Sequence, residues 1–113
     1  MIEPNYTYRA KVVSVYDGDT CRVDIDCGFS IEQKNVALRL YGINAPELRG
    51  DTKQEGMKSR DYLINRILHK EVIIKTFKDT TEKYGRYLAI IYINGSNVNQ
   101  EMTDRGLAEV YLL

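Results

Sequence analysis

Residues 21 to 27, CRVDIDC, alternate Cys, Val, Ile and Cys with Arg, Asp and Asp, the period-two pattern of a strand with one buried face and one wet face. That pattern predicts Asp24 and Asp26 on the solvent side. The preceding YRAKVVSVY, residues 8 to 16, is rich in β-branched and aromatic residues, and the Asp-Gly between the two runs is a turn signal. Residues 8 to 27 therefore read as a hairpin. After FSIEQKN, the run VALRLYGI at 36 to 43 predicts a third strand, so three strands precede any helix.

DTKQEGMKSRDYLINRILHKE, residues 51 to 71, changes period. Thr52 and Glu55 have capping-box spacing, and Met57, Ile64, Ile67 and Leu68 recur at helical intervals, which predicts a helix. VIIKTF and YLAIIYI then predict strands four and five, joined by the polar loop KDTTEKYGR, and Asn94-Gly95 marks a turn. VNQEMTDR predicts a short helix ended by Gly106, and the apolar LAEVYLL is expected to pack back on the core. Five strands with a helix after the third and another after the fifth give a mainly β (α+β) fold, a five-stranded Greek-key barrel of the OB type. Barrels of this type often bind oligonucleotides on one face.

Composition narrows the reading only a little. The 113 residues, 43% apolar and 28% charged, suit one globular domain over 1–113. Sixteen basic and sixteen acidic residues cancel, so any affinity for phosphate has to be local. No apolar run approaches the roughly 20 residues of a membrane span, and no signal-peptide pattern opens the chain, so a cytoplasmic protein without a membrane partner is expected. Cys21 and Cys27 on one extended strand would stand roughly 20 Å apart, too far for a disulfide, and read as small apolar residues.

Candidate chemistry lies in three places. Asp17 and Asp19 in YDGDT form a common turn, yet two carboxylates so placed also aim hard oxygens at one cation. LRLYGINAPE carries Arg39, Asn44 and Glu47, and KYGR carries Lys83, Tyr84 and Arg86. Phosphoryl chemistry needs a cation at the phosphate, a base for water and donors aimed at growing negative charge, an inventory that Asp19, Glu47, Arg39 and Arg86 fill. His69, near the end of the long helix, reads as structural, and Lys53, Lys58, Arg60, Arg66 and Lys70 read as that helix's solvated side.

DGDT, LRLYGINAPE, KYGRYLA and VNQEMTDRGLAEV, in this order and spacing, resemble the staphylococcal nuclease (thermonuclease) family over roughly residues 8 to 110. The resemblance implies an OB-fold hydrolase that uses calcium to cut DNA or RNA, preferring single strands and leaving the 3′-phosphate on the product. It implies Asp19, Asn44 and the Ala45 carbonyl as metal ligands, with Asp17 behind them orienting the metal's waters. Glu47 would be the general base, Arg39 and Arg86 would hold the phosphate, and Lys83 and Tyr84 would touch a neighbouring one.

Two departures stand out. The family pattern has aspartate where this chain has Asn44, which predicts calcium affinity weaker on the order of 10- to 100-fold. The family prototype also continues into a further loop and helix beyond the segment that here ends at Leu113. Looser substrate binding, lower stability and a monomeric or weakly oligomeric state are expected. A single-strand-binding OB module that has lost catalysis is the main alternative, and a protein-interaction domain a third.

Overall fold

The computed structural model describes residue 2 and residues 4–81 and 83–111, the side chains of 78–80 excepted. Eleven-residue β1 (Thr7–Asp17) turns at Gly18 and Asp19 into β2 (Thr20–Gly28), and β3 (Ile31–Leu40) returns antiparallel to β2. After the two-residue β4 (Ile43–Asn44) come helix α1 (Lys53–Ile67), β5 (Glu71–Thr81) and β6 (Tyr87–Ile93). Short β7 (Ser96–Asn97), α2 (Val98–Asp104) and β8 (Glu109–Val110) complete the described chain. The long strands run β3-β2-β1-β5-β6, and a parallel β3–β6 pairing at Leu38, Arg39 and Leu40 closes the barrel. This is the five-stranded, mostly β barrel with two helices that the strand pattern predicts.

The core fills the barrel from alternating strand positions, among them Val12, Val23, Leu38, Ile74 and Ile91, all fully buried, and is plugged by Leu63 and Ile67 of α1 and Val98 and Met102 of α2. Asp26 is exposed and Asp24 half-buried, opposite the buried Val23 and Ile25. Both cysteines are free, and burial pushes the Cys21 thiol up to about 12, which makes it an inert core group. None of the described helices is long and apolar enough to cross a membrane.

Several local expectations are corrected. β3 begins at Ile31 rather than near Val36, because pairing with β2 extends a hairpin whose residues 31–35 are all exposed and so carry no alternating pattern. Its other end stops at Leu40, where Gly42 at φ 82 breaks the predicted run to Ile43. β5 runs on to Thr81, into the expected loop. The buried face of α1 is Gly56, Ser59, Leu63 and Ile67, while Met57 is 38% exposed and Ile64 and Leu68 are half-buried. No capping box forms: the Thr52 hydroxyl donates to the carbonyls of Glu47 at 2.9 Å and Arg49 at 3.2 Å. LAEVYLL packs on the core only through its start, with Ala108 buried in it and Leu107 against it, while Val110 and Tyr111 are exposed and the last two residues lie outside the described set.

The end of α2 follows local chemistry closely. The Asn97 side chain caps it by accepting the Gln100 N–H, and Gly106 at φ 70 lets Leu107 and Gly106 donate back to Met102 and Thr103. Buried Asn99 accepts the Ile91 N–H and donates to the Tyr41 and Ala89 carbonyls. That amide ties α2 to the turn between β3 and β4, and so to the segment that carries Asn44.

Candidate active site

The β1–β2 turn, the β3–β4 segment and the loop entering β6 meet at a cleft of ≈ 560 Å³ lined by Asp17, Asp19, Arg39, Asn44, Ala45, Glu47, Lys83, Tyr84 and Arg86. All nine residues singled out from the sequence thus face one space. Closure of the barrel makes this possible, since the β3–β6 pairing sets Arg39 beside Leu88 and brings Arg86 to the β1–β2 turn.

Asp19 is the hub. Its Oδ2 accepts the Ala45 N–H at 2.8 Å and lies 3.3 Å from Arg39 Nη1, while its Oδ1 accepts the Thr20 hydroxyl at 3.1 Å. The same Thr20 oxygen accepts Arg86 Nη1 at 2.9 Å, so Arg86 reaches Asp19 through one hydroxyl. Arg39 also donates Nη1 to the Leu40 carbonyl at 3.1 Å and Nη2 to Asn44 Oδ1 at 3.3 Å. Its planar fork therefore spans the Asp19 and Asn44 oxygens.

Asp17 accepts the Asp19 N–H at 3.0 Å. Burial, with the adjacent Asp19 carboxylate adding to it, raises the Asp17 carboxyl from 3.8 to about 6. A cation placed between the two acids would relieve that crowding. Among the described residues no three His, Cys, Asp or Glu side chains form a metal cluster. The hard oxygen set is instead Asp19, Asp17, the amide oxygen of Asn44 and the Ala45 backbone, a donor chemistry that suits calcium with fewer full charges than a tight site uses.

The opposite wall is more open. Glu47 is exposed, and its Oε2 accepts Arg49 Nε at 3.3 Å. Lys83 Nζ stands 5.0 Å and the Arg86 guanidinium carbon 5.3 Å from the centre of the Tyr84 ring, itself 71% exposed. His69 lies away from the cleft, where its backbone N–H donates to Val12. Arg66 is not a plain solvated charge, since it grips Glu101 through Nε at 2.8 Å and Nη2 at 2.9 Å and thereby joins α1 to α2.

Several residues that shape the site escape a motif reading. Thr20, inside DGDT, is one, and Arg49 beside Glu47 is another. Two small residues of α1 are the least visible. A Cβ on Gly56 would lie 2.5 Å from the Glu47 carbonyl oxygen, and one on Gly18 would strike Ser59 Oγ and lie 2.8 Å from Ala45 Cβ. The helix thus presses on both loops of the site, and Ser59 Oγ is buried there without a hydrogen-bond partner among the described residues. Only a search for small residues on the helix face opposite the polar one would have found them.

The closed OB-type barrel thus carries two arginines and a carboxylate pair at one mouth. A family model described as Staphylococcal nuclease homologue matches residues 37–113, and the chain belongs to that family. It is 31% identical to the thermonuclease of Staphylococcus hyicus over 87% of this chain and 56% of that protein. It is 32% identical to an uncharacterized endonuclease of Haemophilus influenzae over 89% of this chain and 51% of that one, and 31% identical to an uncharacterized protein of Methanocaldococcus jannaschii over 98% and 63%. The chain thus spans 51% to 63% of the length of these relatives.

Proposed function

We propose that this chain is a nuclease that hydrolyses phosphodiesters of single-stranded DNA or RNA with calcium as its cofactor. The observation that carries the reading is the convergence of Arg39 and Arg86 on Asp19, one directly at 3.3 Å and one through Thr20, in a cleft onto which Glu47 also opens. Nuclease relatives in the same family support it.

The residues divide the task by where they are held. Glu47, on the open wall, takes a proton from the water whose oxygen forms the new bond to phosphorus. Arg39 and Arg86 offer N–H groups to the phosphoryl oxygens where negative charge grows as the bond to the leaving oxygen breaks. Because both guanidinium groups are fixed before substrate arrives, little reorganisation accompanies that charge build-up. Lys83 and Tyr84 meet a neighbouring phosphate. Calcium, held by Asp19, Asn44 and the Ala45 carbonyl with Asp17 behind them, would polarise the phosphate and add positive charge beside it.

Replacing Glu47 by Gln tests this reading, with turnover expected to fall while the fold stays intact; undiminished turnover would remove Glu47 from the mechanism. One observation favours a second reading. Arg39 bridges Asp19 Oδ2 and Asn44 Oδ1, both at 3.3 Å, and so lays a protein cation across the oxygens a metal would take. A single-strand-binding module without catalysis would show tight, calcium-independent binding of an oligonucleotide and no cutting.

A further inference from the structure

A second groove, of ≈ 620 Å³, lies on the other side of the Arg86 and Tyr84 wall. Its floor is one face of three strands. Ser14 of β1 and Ala37 of β3 are both paired directly with Arg22 of β2, so these three side chains share a face. Small residues on either side of the arginine keep the floor low. Arg22 lines the groove and donates Nη1 to the Asn35 carbonyl at 2.9 Å, and among the described residues it pairs with no carboxylate.

The rim of this groove is aromatic. Val15 pairs with Cys21 and Asp17 with Thr20, so β1 carries one extra residue between them, and that residue is Tyr16. A bulge of this kind re-aims a side chain, and the Tyr16 ring is 70% exposed beside the site. Tyr84 lines the same groove and is 71% exposed. The lining holds two arginines and no acid, although the chain as a whole is neutral.

Resting on the nuclease reading above, we infer that this groove holds the nucleotide next to the scissile phosphate, its base stacked on Tyr16 and its phosphate on Arg22. Three observations commit it to a single nucleic-acid strand. The groove shares Tyr84 and Arg86 with the catalytic cleft, so a strand crossing Arg86 passes from one to the other. Its charge complements a polyanion. An exposed tyrosine accepts the face of any unpaired base, whereas a duplex keeps its base faces stacked on one another. The groove thus confers preference for single strands and no preference among bases.

The test compares a fluorescent single-stranded oligonucleotide with thymidine p-nitrophenyl phosphodiester, which fills the catalytic cleft alone. Tyr16→Ala should raise both Kd and KM for the oligonucleotide roughly tenfold and leave kcat/KM for the small substrate unchanged, while Tyr16→Phe keeps native values. Arg22→Gln should weaken oligonucleotide binding and reduce its salt slope by about one. Unchanged oligonucleotide Kd in Tyr16→Ala, an equal effect on the small substrate, or native binding that favours duplex over single strand would overturn the inference. If the native chain binds the oligonucleotide without cutting either substrate, the nuclease reading falls and the Kd comparison alone decides the groove. If it binds no oligonucleotide, both fall.

Discussion

On one wall of the cleft Asp19 and Arg39 sit on or beside long barrel strands with side chains 9% and 13% exposed, each tied by several hydrogen bonds. On the other, Glu47 stands on a loop with its side chain 71% exposed and accepts from Arg49, itself 84% exposed and outside the cleft lining. The difference separates two requirements of phosphoryl transfer. Charge stabilisation gains from groups that cannot move, because the barrel has already supplied the cost of orienting them. A base for water must stay in contact with solvent. The buried wall should therefore couple function to stability, and the open wall should not.

The strongest break of that comparison is Glu47→Gln. Turnover should fall by about 10²- to 10⁴-fold, as for loss of a general base, while unfolding free energy stays within about 0.5 kcal/mol of native, since the side chain is exposed. Kinetics on a labelled oligonucleotide and urea unfolding of the same preparation measure both. A variant that loses stability and activity together would show that the open wall is also structural.

Next in size are the glycines behind the loops. Gly56→Ala replaces a poor helix former by the best, which by propensity alone gains about 1 kcal/mol. Here the added methyl would meet the Glu47 carbonyl oxygen at 2.5 Å, and the net effect should be destabilisation by about 1–3 kcal/mol. Gly18→Ala, against Ser59 and Ala45, should behave alike. Urea midpoints read the sign, and a stabilised Gly56→Ala protein would mean that the helix does not brace the Glu47 loop.

The smallest effect concerns Asp17. Its carboxyl titrates at about 6 when folded against 3.8 ordinarily, so the folded chain keeps this proton where the unfolded chain has lost it. The group's contribution to stability is therefore undiminished below about pH 4, falls as pH rises from about 4 to about 6, and stays low above. Glu101, lowered first by its hydrogen bond from Arg66, acts in the opposite direction, losing its contribution as pH falls. Comparing Asp17→Asn with native protein in chelator isolates the first: Tm should rise near pH 7 and match native near pH 4. Equal Tm at both would place Asp17 outside the crowded pair.

What could be read before any coordinates follows from how local the chemistry is. The β1–β2 alternation, the Asn94-Gly95 turn and the end of α2 at Gly106 depend on a few adjacent residues, and each forms where those residues predict. The face of α1 was not legible, because near the site it is made by Gly56 and Ser59, which a hydrophobic period does not register. Thr52 looked like a cap, yet Glu47 and Arg49 carbonyls compete for its hydroxyl. Asp19, Arg39, Asn44, Glu47 and Arg86 were legible as motif residues. Their meeting depends on the β3–β6 closure, which joins segments far apart in the chain.

The most direct test of the account is cleavage of a labelled single-stranded oligonucleotide across a calcium series from micromolar to tens of millimolar, with Asn44→Asp and Glu47→Gln beside the native chain. The account predicts that native protein cuts only at high calcium, that Asn44→Asp lowers the requirement on the order of 10- to 100-fold, and that Glu47→Gln removes cutting. No cutting at any calcium concentration, with none restored by Asn44→Asp, would contradict it.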